Sequence, residues 1–316
     1  MLLKWAWKAD SEYMTKLIWA CLKAGHHPCP WKEAVVSIIP KPNQADYTLA
    51  KNYRPILLLE CLGKLLEKVV AKIIYSDMAK HMLVPTTQFG GRNTLSTLDA
   101  GLTLLHDIQA AHRSSLRVGL LLFDIQGYFD NINYNRLIHS FINLGFAPEL
   151  MNWCHSFLKD RIFRLKFNGK TSDPFDFVVR TPQGSPVSPV LSTIYMSTLL
   201  HKIKNWTNTS LGMYVDNRDI FTCGDSWRKI ENTMQEGYTK CINWLTQAGL
   251  NMEPEKTELI FFRKLRERLE PPHYIHLPLP LHNIYYRVPS TNTLRYLGFY
   301  FDTHLQWSHH VNVMCN

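Results

Sequence analysis

The stretch VGLLLFDIQGYFD, residues 118–130, places an aspartate directly after a run of apolar residues. Asp124 ends this run, and Asp216 ends a second apolar run, LGMYV at 211–215. Short apolar runs of this kind predict buried strands, so we expect each carboxylate to be held rigidly and partly desolvated. Two carboxylates side by side repel each other unless a cation lies between them. Hard oxygen ligands of this kind suit Mg²⁺, which also accepts phosphate oxygens as ligands.

Both aspartates belong to a series of eight segments: WKEAVVSIIPKP (31–42), NYRPI (52–56), QFGGR (88–92), FDIQGYFD (123–130), TPQGSPVSP (181–189), MYVDN (213–217), GLNMEPEKT (249–257) and LRYLG (294–298). Taken in this order, the segments resemble the catalytic core of a reverse transcriptase of the type found in non-LTR retrotransposons. Each segment alone is a weak signal, whereas the ordered series is specific.

The resemblance implies an α+β fold, the right-hand polymerase fold with fingers and palm. The palm would be an antiparallel sheet backed by helices on one face. The thumb would be largely absent, because the chain ends where the thumb of the family begins. The implied divisions are a reverse transcriptase domain at 30–305, with fingers mainly at 1–117 and 132–180, a palm at 118–131 and 181–301, and the start of a truncated thumb at 302–316.

Local patterns predict alternating helices and strands. Apolar residues at three- and four-residue spacing predict helices over 58–80 and 94–112. Asn168-Gly169 lies between two β-rich runs and predicts a hairpin. The basic stretch 263–290 is dotted with prolines and carries no predicted element, and 294–301 is predicted to be a single strand.

For catalysis, the resemblance assigns metal ligation to Asp124, Asp216 and the carbonyl oxygen of Ile125, with two Mg²⁺ ions that Mn²⁺ can replace. The alternative for Asp124 is a turn aspartate at the end of a strand. Lys256 matches the lysine proposed to protonate the departing pyrophosphate, a role that requires a pKa tuned by its surroundings.

Five residues are implied to bind the incoming nucleotide. Lys41 and Arg54 would grip the triphosphate, Arg54 through a bidentate contact. Phe129 would lie against the 2′ position of the sugar and reject ribonucleotides. Gln183 and Gly184 would lie under the nucleotide, where glycine permits close approach of the backbone. The alternatives are solvated charges, a core aromatic residue and a helix-entry loop without function.

The primer and template would be held further along the chain. Tyr296, Leu297 and Gly298 match the turn that grips the 3′ end of the primer. Arg263 and Lys264 open a basic cluster that either contacts primer or template phosphates or is simply solvated.

One motif departs from the family pattern, which usually reads Tyr-x-Asp-Asp at this turn. Here Asn217 replaces the second acid and removes a negative charge, and Arg218 is expected to bring a cation close to the metal site. Asp219 is a weak candidate to compensate. The departure leaves two main hypotheses, an impaired RNA-directed DNA polymerase and a non-catalytic nucleic-acid-binding remnant. An RNA-templated RNA polymerase is disfavoured by Phe129.

Composition is consistent with a nucleic-acid partner. Among 316 residues, Lys and Arg (35) exceed Asp and Glu (26), and the pI is about 9.1. This excess of positive charge favours polyanionic partners: an RNA template, a DNA primer and deoxynucleoside triphosphates.

Seven cysteines without a CxxC pair indicate free thiols in a reducing compartment. Two Cys/His-rich segments, 21–29 and 304–315, leave zinc binding as an alternative. No apolar run approaches the roughly 20 residues of a spanning helix, so we expect an intracellular protein of the nucleus or cytoplasm, neither membrane-bound nor secreted.

Overall fold

The computed structural model describes residues 2–42, 45–49, 52–85, 87–90, 95–167, 169–176, 181–203, 209–214, 217–265, 267–279 and 284–315. The chain divides into two compact units. The first unit comprises Met1–Leu83 and Phe129–Tyr195, and the second unit comprises Val84–Tyr128 and Met196–Asn316.

The helices match most of the periodic segments of the sequence. They are α1 Leu2–Ala9, α2 Ser11–Lys23, α3 Cys61–Lys80, α4 Thr97–Arg113, α5 Tyr128–Asn131, α6 Tyr134–Asn143, α7 Pro148–Leu158, α8 Ser188–Ile203, α9 Trp227–Gln247 and α10 Ser308–Cys315. The helix predicted from residue 58 begins only at Cys61, because the preceding residues form a strand. No helix in the described ranges combines the length and the apolar character that crossing a membrane requires.

The strands form two five-stranded sheets and two separate hairpins in the described part of the chain. They are β1 Glu33–Pro40, β2 Tyr53–Leu59, β3 Arg117–Gln126, β4 Ile162–Phe167, β5 Lys170–Thr171, β6 Phe175–Asp176, β7 Thr209–Tyr214, β8 Asn217–Gly224, β9 Asn251–Met252, β10 Glu258–Phe262, β11 Tyr274–Pro278, β12 Tyr285–Pro289, β13 Thr293–Tyr296 and β14 Phe299–Asp302.

The first unit is built on a mixed sheet in the order β2-β1-β4-β5, with β6 also paired to β4. β1 pairs antiparallel with β2 and parallel with β4. The predicted hairpin at 168–169 is present, since Phe167 pairs with Lys170 across it. Alternating apolar side chains form a small core on this sheet, made by Ala34, Val36, Leu57, Leu59 and Phe163.

The second unit is built on an antiparallel sheet in the order β10-β3-β8-β7, with β9 paired to the end of β3. Because side chains alternate along a strand, β3 contributes to two layers. Gly119 faces Ile230 and Met234 of α9, whereas Leu120 packs in a cluster with Leu104 of α4. The expectation of helices on one face only is therefore wrong. The apolar run of β3 is nearly continuous because both faces of the strand are covered.

Two further predictions are corrected by the hairpins of the second unit. The stretch 263–290 is not devoid of elements, because β11 and β12 pair within it and bury Ile275, Leu277 and Val288 at a spacing of two. The segment 294–301 is two strands, β13 and β14, rather than one. The chain reverses between them at Leu297 and Gly298, whose φ values are +50° and +95°.

Candidate active site

The candidate site is organised by the pairing of β3 with β8 in the second unit. Asp124 pairs directly with Asn217, and Asn217 pairs on its other side with Tyr214 of β7. Side chains of directly paired residues lie on the same face of a sheet, so Asn217 is the immediate neighbour of Asp124. Asp216 precedes Asn217 in the sequence and lies outside the described residues.

The carboxylate of Asp124 is only 23% exposed and is held by two contacts. Its Oδ1 accepts a hydrogen bond from the backbone N–H of Ile125 at 2.9 Å, and its Oδ2 accepts one from Nζ of Lys256 at 2.9 Å. The carbonyl oxygen of Asp124 accepts a bond from the N–H of Glu253 at 3.0 Å. A strand-end carboxylate is thus fixed in position and paired with a cation.

Lys256 lies between two carboxylates. Its Nζ is 2.6 Å from Oε2 of Glu253 as well as 2.9 Å from Asp124. Partial burial lowers the pKa of Lys256, but the hydrogen bonds to Glu253 and Asp124 and their charges outweigh burial and raise it above its usual value. The lysine is therefore protonated at neutral pH, and its raised pKa makes it a weaker acid than a free lysine, opposite to the tuning that favours proton donation. Sequence reasoning did not single out Glu253, although its i,i+3 spacing to Lys256 was visible.

A cleft of about 270 Å³ opens beside Asp124, and its walls include Asn217, Lys256, Arg295, Tyr296 and Leu297. The structure thus brings the predicted catalytic residues Asp124 and Lys256 together with two residues of the predicted primer turn. The turn itself needs positive φ at Leu297 and Gly298, a conformation that glycine adopts without steric cost.

Arg218 does not lie where the sequence suggested. It pairs with Phe123, whose ring contacts Tyr238 of α9 at 5.8 Å between centroids. Strand alternation therefore directs its side chain to the α9 face, opposite to that of Asp124 and Asn217. The guanidinium is 5.0 Å from the centre of the Tyr128 ring, and the residue is 1% exposed. The cation expected beside the predicted metal ligands is thus turned away from Asp124.

Asp219 is also buried, but on the face of the sheet that carries Asp124. Its Oδ1 accepts a hydrogen bond from the hydroxyl of Tyr296 at 2.9 Å. The carboxyl group occupies the space that a Cβ at residue 212 would fill, where its Cγ would be 2.7 Å away. Asp219 thus connects β8 to the Tyr296 turn, an arrangement that does not favour it as a replacement metal ligand.

Arg263 and Lys264, the two basic residues that follow β10, differ in their contacts. Arg263 donates to both oxygens of Glu270, at 2.7 and 2.8 Å, and to the carbonyl oxygen of Glu267 at 3.2 Å. Lys264 is exposed. Arg263 would therefore have to leave its ion pair with Glu270 before it could contact a phosphate.

The five candidate nucleotide-binding residues all lie in the first unit. Lys41 follows β1, and its N–H donates to the carbonyl oxygen of Asn52 at 2.8 Å. Arg54 is exposed on β2 and pairs with Ile39. Phe129 is half-buried, and its carbonyl oxygen accepts a bond from the hydroxyl of Thr181.

The loop that carries Gln183 and Gly184 lies against the same strand as Arg54. The carbonyl oxygen of Gln183 accepts a hydrogen bond from the N–H of Leu57 at 3.1 Å. Gly184 has a φ of +107°, and a Cβ there would lie 2.9 Å from the carbonyl oxygen of Leu57. Glycine is therefore required at this position for two reasons, its conformation and its close approach to β2.

Metal-ligand clusters are limited in this structure. Within the described ranges, no group of three or more His, Cys, Asp or Glu side chains could hold a metal ion. In the segment 21–29, Cys21 is buried and Cys29 is exposed. Of the predicted metal ligands, Asp124 lines the cleft together with Glu255 and Glu258, whereas Asp216 lies outside the described residues.

Known proteins that resemble this chain identify its family. A family model described as reverse transcriptase (RNA-dependent DNA polymerase) matches residues 39–301. The probable RNA-directed DNA polymerase from transposon X-element of Drosophila melanogaster is 26% identical over 304 residues, which are 95% of this chain and 32% of that protein. The RNA-directed DNA polymerase from mobile element jockey of the same species is 25% identical over 310 residues, with the same two coverages. The chain spans about a third of the length of these relatives.

Solved structures of telomerase share the fold. Apo telomerase from Candida tropicalis, truncated from its C-terminal domain, has a TM-score of 0.59 at 15% identity, over 87% of this chain and 54% of that one. Telomerase from Candida albicans in complex with a telomeric RNA fragment has a TM-score of 0.60 at 12% identity, over 91% and 49%. This likeness shows a polymerase fold of mixed helices and strands. With the family model covering most of the chain, the protein belongs to the reverse transcriptase family, of the type found in non-LTR retrotransposons.

Proposed function

We propose that this chain is the core of an RNA-directed DNA polymerase, which adds deoxynucleotides to the 3′ end of a DNA primer on an RNA template. The observation that carries the proposal is the pairing of Asp124 with Asn217 beside the cleft that Lys256 and Tyr296 also line. The proposed palm comprises 118–131 and 181–301, and the proposed fingers lie mainly at 1–117 and 132–180. Residues 302–316 would begin the thumb.

The donor set supports a divalent cation at Asp124. The carboxylate is partly exposed to the cleft, and a metal ion there would take the place of the ammonium group of Lys256, which lies 2.9 Å from Oδ2. Mg²⁺, or Mn²⁺ in its place, would be held by Asp124, Asp216 and the carbonyl oxygen of Ile125. When bound, two such ions would neutralise charge on the attacking oxygen and on the triphosphate.

The remaining roles fall to protein side chains. Lys256 remains protonated and would donate its proton to the departing pyrophosphate. Arg54 and Lys41 would bind the triphosphate, and Phe129 would exclude a 2′-hydroxyl. Leu297 and Gly298 would hold the primer terminus through the backbone of their turn.

The second candidate function is a nucleic-acid-binding remnant without turnover. The observation that favours it is Asn217, which faces Asp124 without a negative charge. Weaker neutralisation of bound cations would lower activity while leaving template binding intact.

Primer extension on an RNA template with Mg²⁺ or Mn²⁺ distinguishes the two candidates. The wild-type chain should extend the primer, more strongly with Mn²⁺, Asp124→Ala should abolish extension, and Asn217→Asp should increase it. Arg218 should be left unchanged in this experiment, because its side chain is buried on the other face of the sheet. Absence of synthesis in both the wild-type and Asn217→Asp proteins, with RNA binding retained, would establish the remnant instead.

A further inference from the structure

A buried contact in the first unit connects α3 to the loop that carries Gln183 and Gly184. The hydroxyl of Ser185 donates a hydrogen bond to Oε2 of Glu67. The same Ser185 oxygen accepts a bond from the N–H of Val187 at 3.2 Å. One serine therefore ties the loop to a helix residue 118 positions earlier in the sequence.

Glu67 is an unusual residue for its position. It lies on the buried stripe of α3, between Leu66 and Val70, and is 0% exposed. A buried carboxylate is costly unless it is paired and hydrogen-bonded. Within the described ranges its Oε1 has no hydrogen-bond partner, so the bond to Ser185 is the main specific contact of this side chain.

Arg161 supplies the opposing charge. It is 4% exposed, its Nε donates to the carbonyl oxygen of Phe157 at 2.8 Å, and its guanidinium lies 4.3 Å from the centre of the Phe157 ring. Burial raises the pKa of Glu67, and the Ser185 hydroxyl and the charges of Arg161 and Lys64 oppose that rise. Buried ionic groups contribute little to stability compared with well-packed apolar residues, and defining one conformation is a role they can have.

The loop held by Glu67 is the one that approaches β2. Gln183 bonds to Leu57 at 3.1 Å, and Gly184 packs against the carbonyl oxygen of the same residue. Arg54 lies three residues earlier on that strand. The distance between Arg54 and the Gln183–Gly184 backbone therefore depends on how firmly the loop is held.

We propose that Glu67 is a positioning residue of the nucleotide site, which acts through Ser185 to hold Gln183 and Gly184 in register with Arg54. The inference rests on the proposed function for its nucleotide part. Glu67 itself contacts no substrate. Its loss should weaken nucleotide binding and leave the chemical step largely unchanged.

The test compares Ser185→Ala, Glu67→Gln and the double variant with wild type in the full chain. Ser192→Ala is the matched control, since Ser192 is also buried but donates to the carbonyl oxygen of Pro189 within α8. Hydrogen exchange of the amides at 183–187 measures loop order without requiring catalysis. Steady-state extension with varied deoxynucleoside triphosphate separates KM from kcat.

Ser185→Ala should raise KM about five- to tenfold, as expected for loss of one buried hydrogen bond, with kcat changed less than twofold. Glu67→Gln keeps an acceptor and should raise KM by about twofold, and the double variant should resemble Ser185→Ala because the two residues act as a pair. Exchange at 183–187 should accelerate in Ser185→Ala and not in Ser192→Ala.

Unchanged exchange in Ser185→Ala would overturn the role of the contact in ordering the loop. Faster exchange with unchanged KM, or a fall in kcat alone, would overturn its role in nucleotide positioning. A wild-type protein that binds no nucleotide would refute the proposed function and the nucleotide part of the inference, whereas the exchange comparison would still decide whether Glu67 orders the loop.

Discussion

The buried carboxyl group of Asp219 predicts a measurable pH dependence of stability. Asp219 is 6% exposed, and burial raises its pKa to about 6, although the bonds from Tyr296 and the N–H of Gly212 act in the opposite direction. In the unfolded chain an aspartate has a pKa of about 3.9. The folded state therefore binds this proton more tightly, and the resulting stabilisation is present in full below about pH 4 and is lost as the pH rises through 6.

The magnitude follows from the two pKa values. A difference of about two corresponds to roughly 3 kcal/mol of unfolding free energy at most. Asp219→Asn removes the titration and keeps an oxygen that can accept the hydrogen bond of Tyr296. The unfolding free energy of the variant minus that of wild type should therefore increase by about 2–3 kcal/mol from pH 4 to pH 7.5.

Urea unfolding of the two proteins at both pH values provides the measurement. Subtracting the unfolding free energy of wild type from that of Asp219→Asn at each pH cancels the contribution of the other carboxylates. Tyr296→Phe is an internal control, because removing the hydroxyl donor should raise the pKa of Asp219 further and extend the loss of stability to higher pH. A constant difference between wild type and Asp219→Asn at both pH values would refute the assignment of a raised pKa to this group.

Three further predictions concern β2, β7 and β8. Arg54→Ala should raise the KM for deoxynucleoside triphosphates at least about tenfold with little effect on RNA affinity in filter binding; equal changes in both would make Arg54 a backbone-phosphate contact. Gly212→Ala should destabilise the protein by about 1–3 kcal/mol, because the new Cβ meets the carboxyl group of Asp219; an unchanged Tm would contradict this packing. Arg218→Gly should lower the unfolding free energy by about 2–4 kcal/mol without increasing primer extension, since its side chain packs on Tyr128 rather than beside Asp124. Increased extension would show that the cation of Arg218 inhibits synthesis.

Several features of the fold and of the site were predictable because they depend on residues close together in the sequence. The apolar run before Asp124 predicted a buried strand, and β3 confirms it. The spacing of apolar residues predicted α4, and Asn168-Gly169 predicted a hairpin, because periodicity and turn preference are local properties. The ordered motifs were enough to predict the family.

Other features depend on which segments pack against each other, and local patterns do not determine this. Arg218 looked like a cation near the metal site until the register of β3 with β8 assigned it to the opposite face, since a shift of one residue changes the face of every side chain on a strand. Glu67 could have been noticed as a charge on an apolar stripe, but its partner Ser185 is 118 residues away. The sequence by itself determined the strand-end carboxylate, the helix predicted over 94–112 and the reverse transcriptase family. Only the tertiary structure decided the faces and partners of the buried charged residues, because burial and pairing of a charge depend on contacts between distant segments.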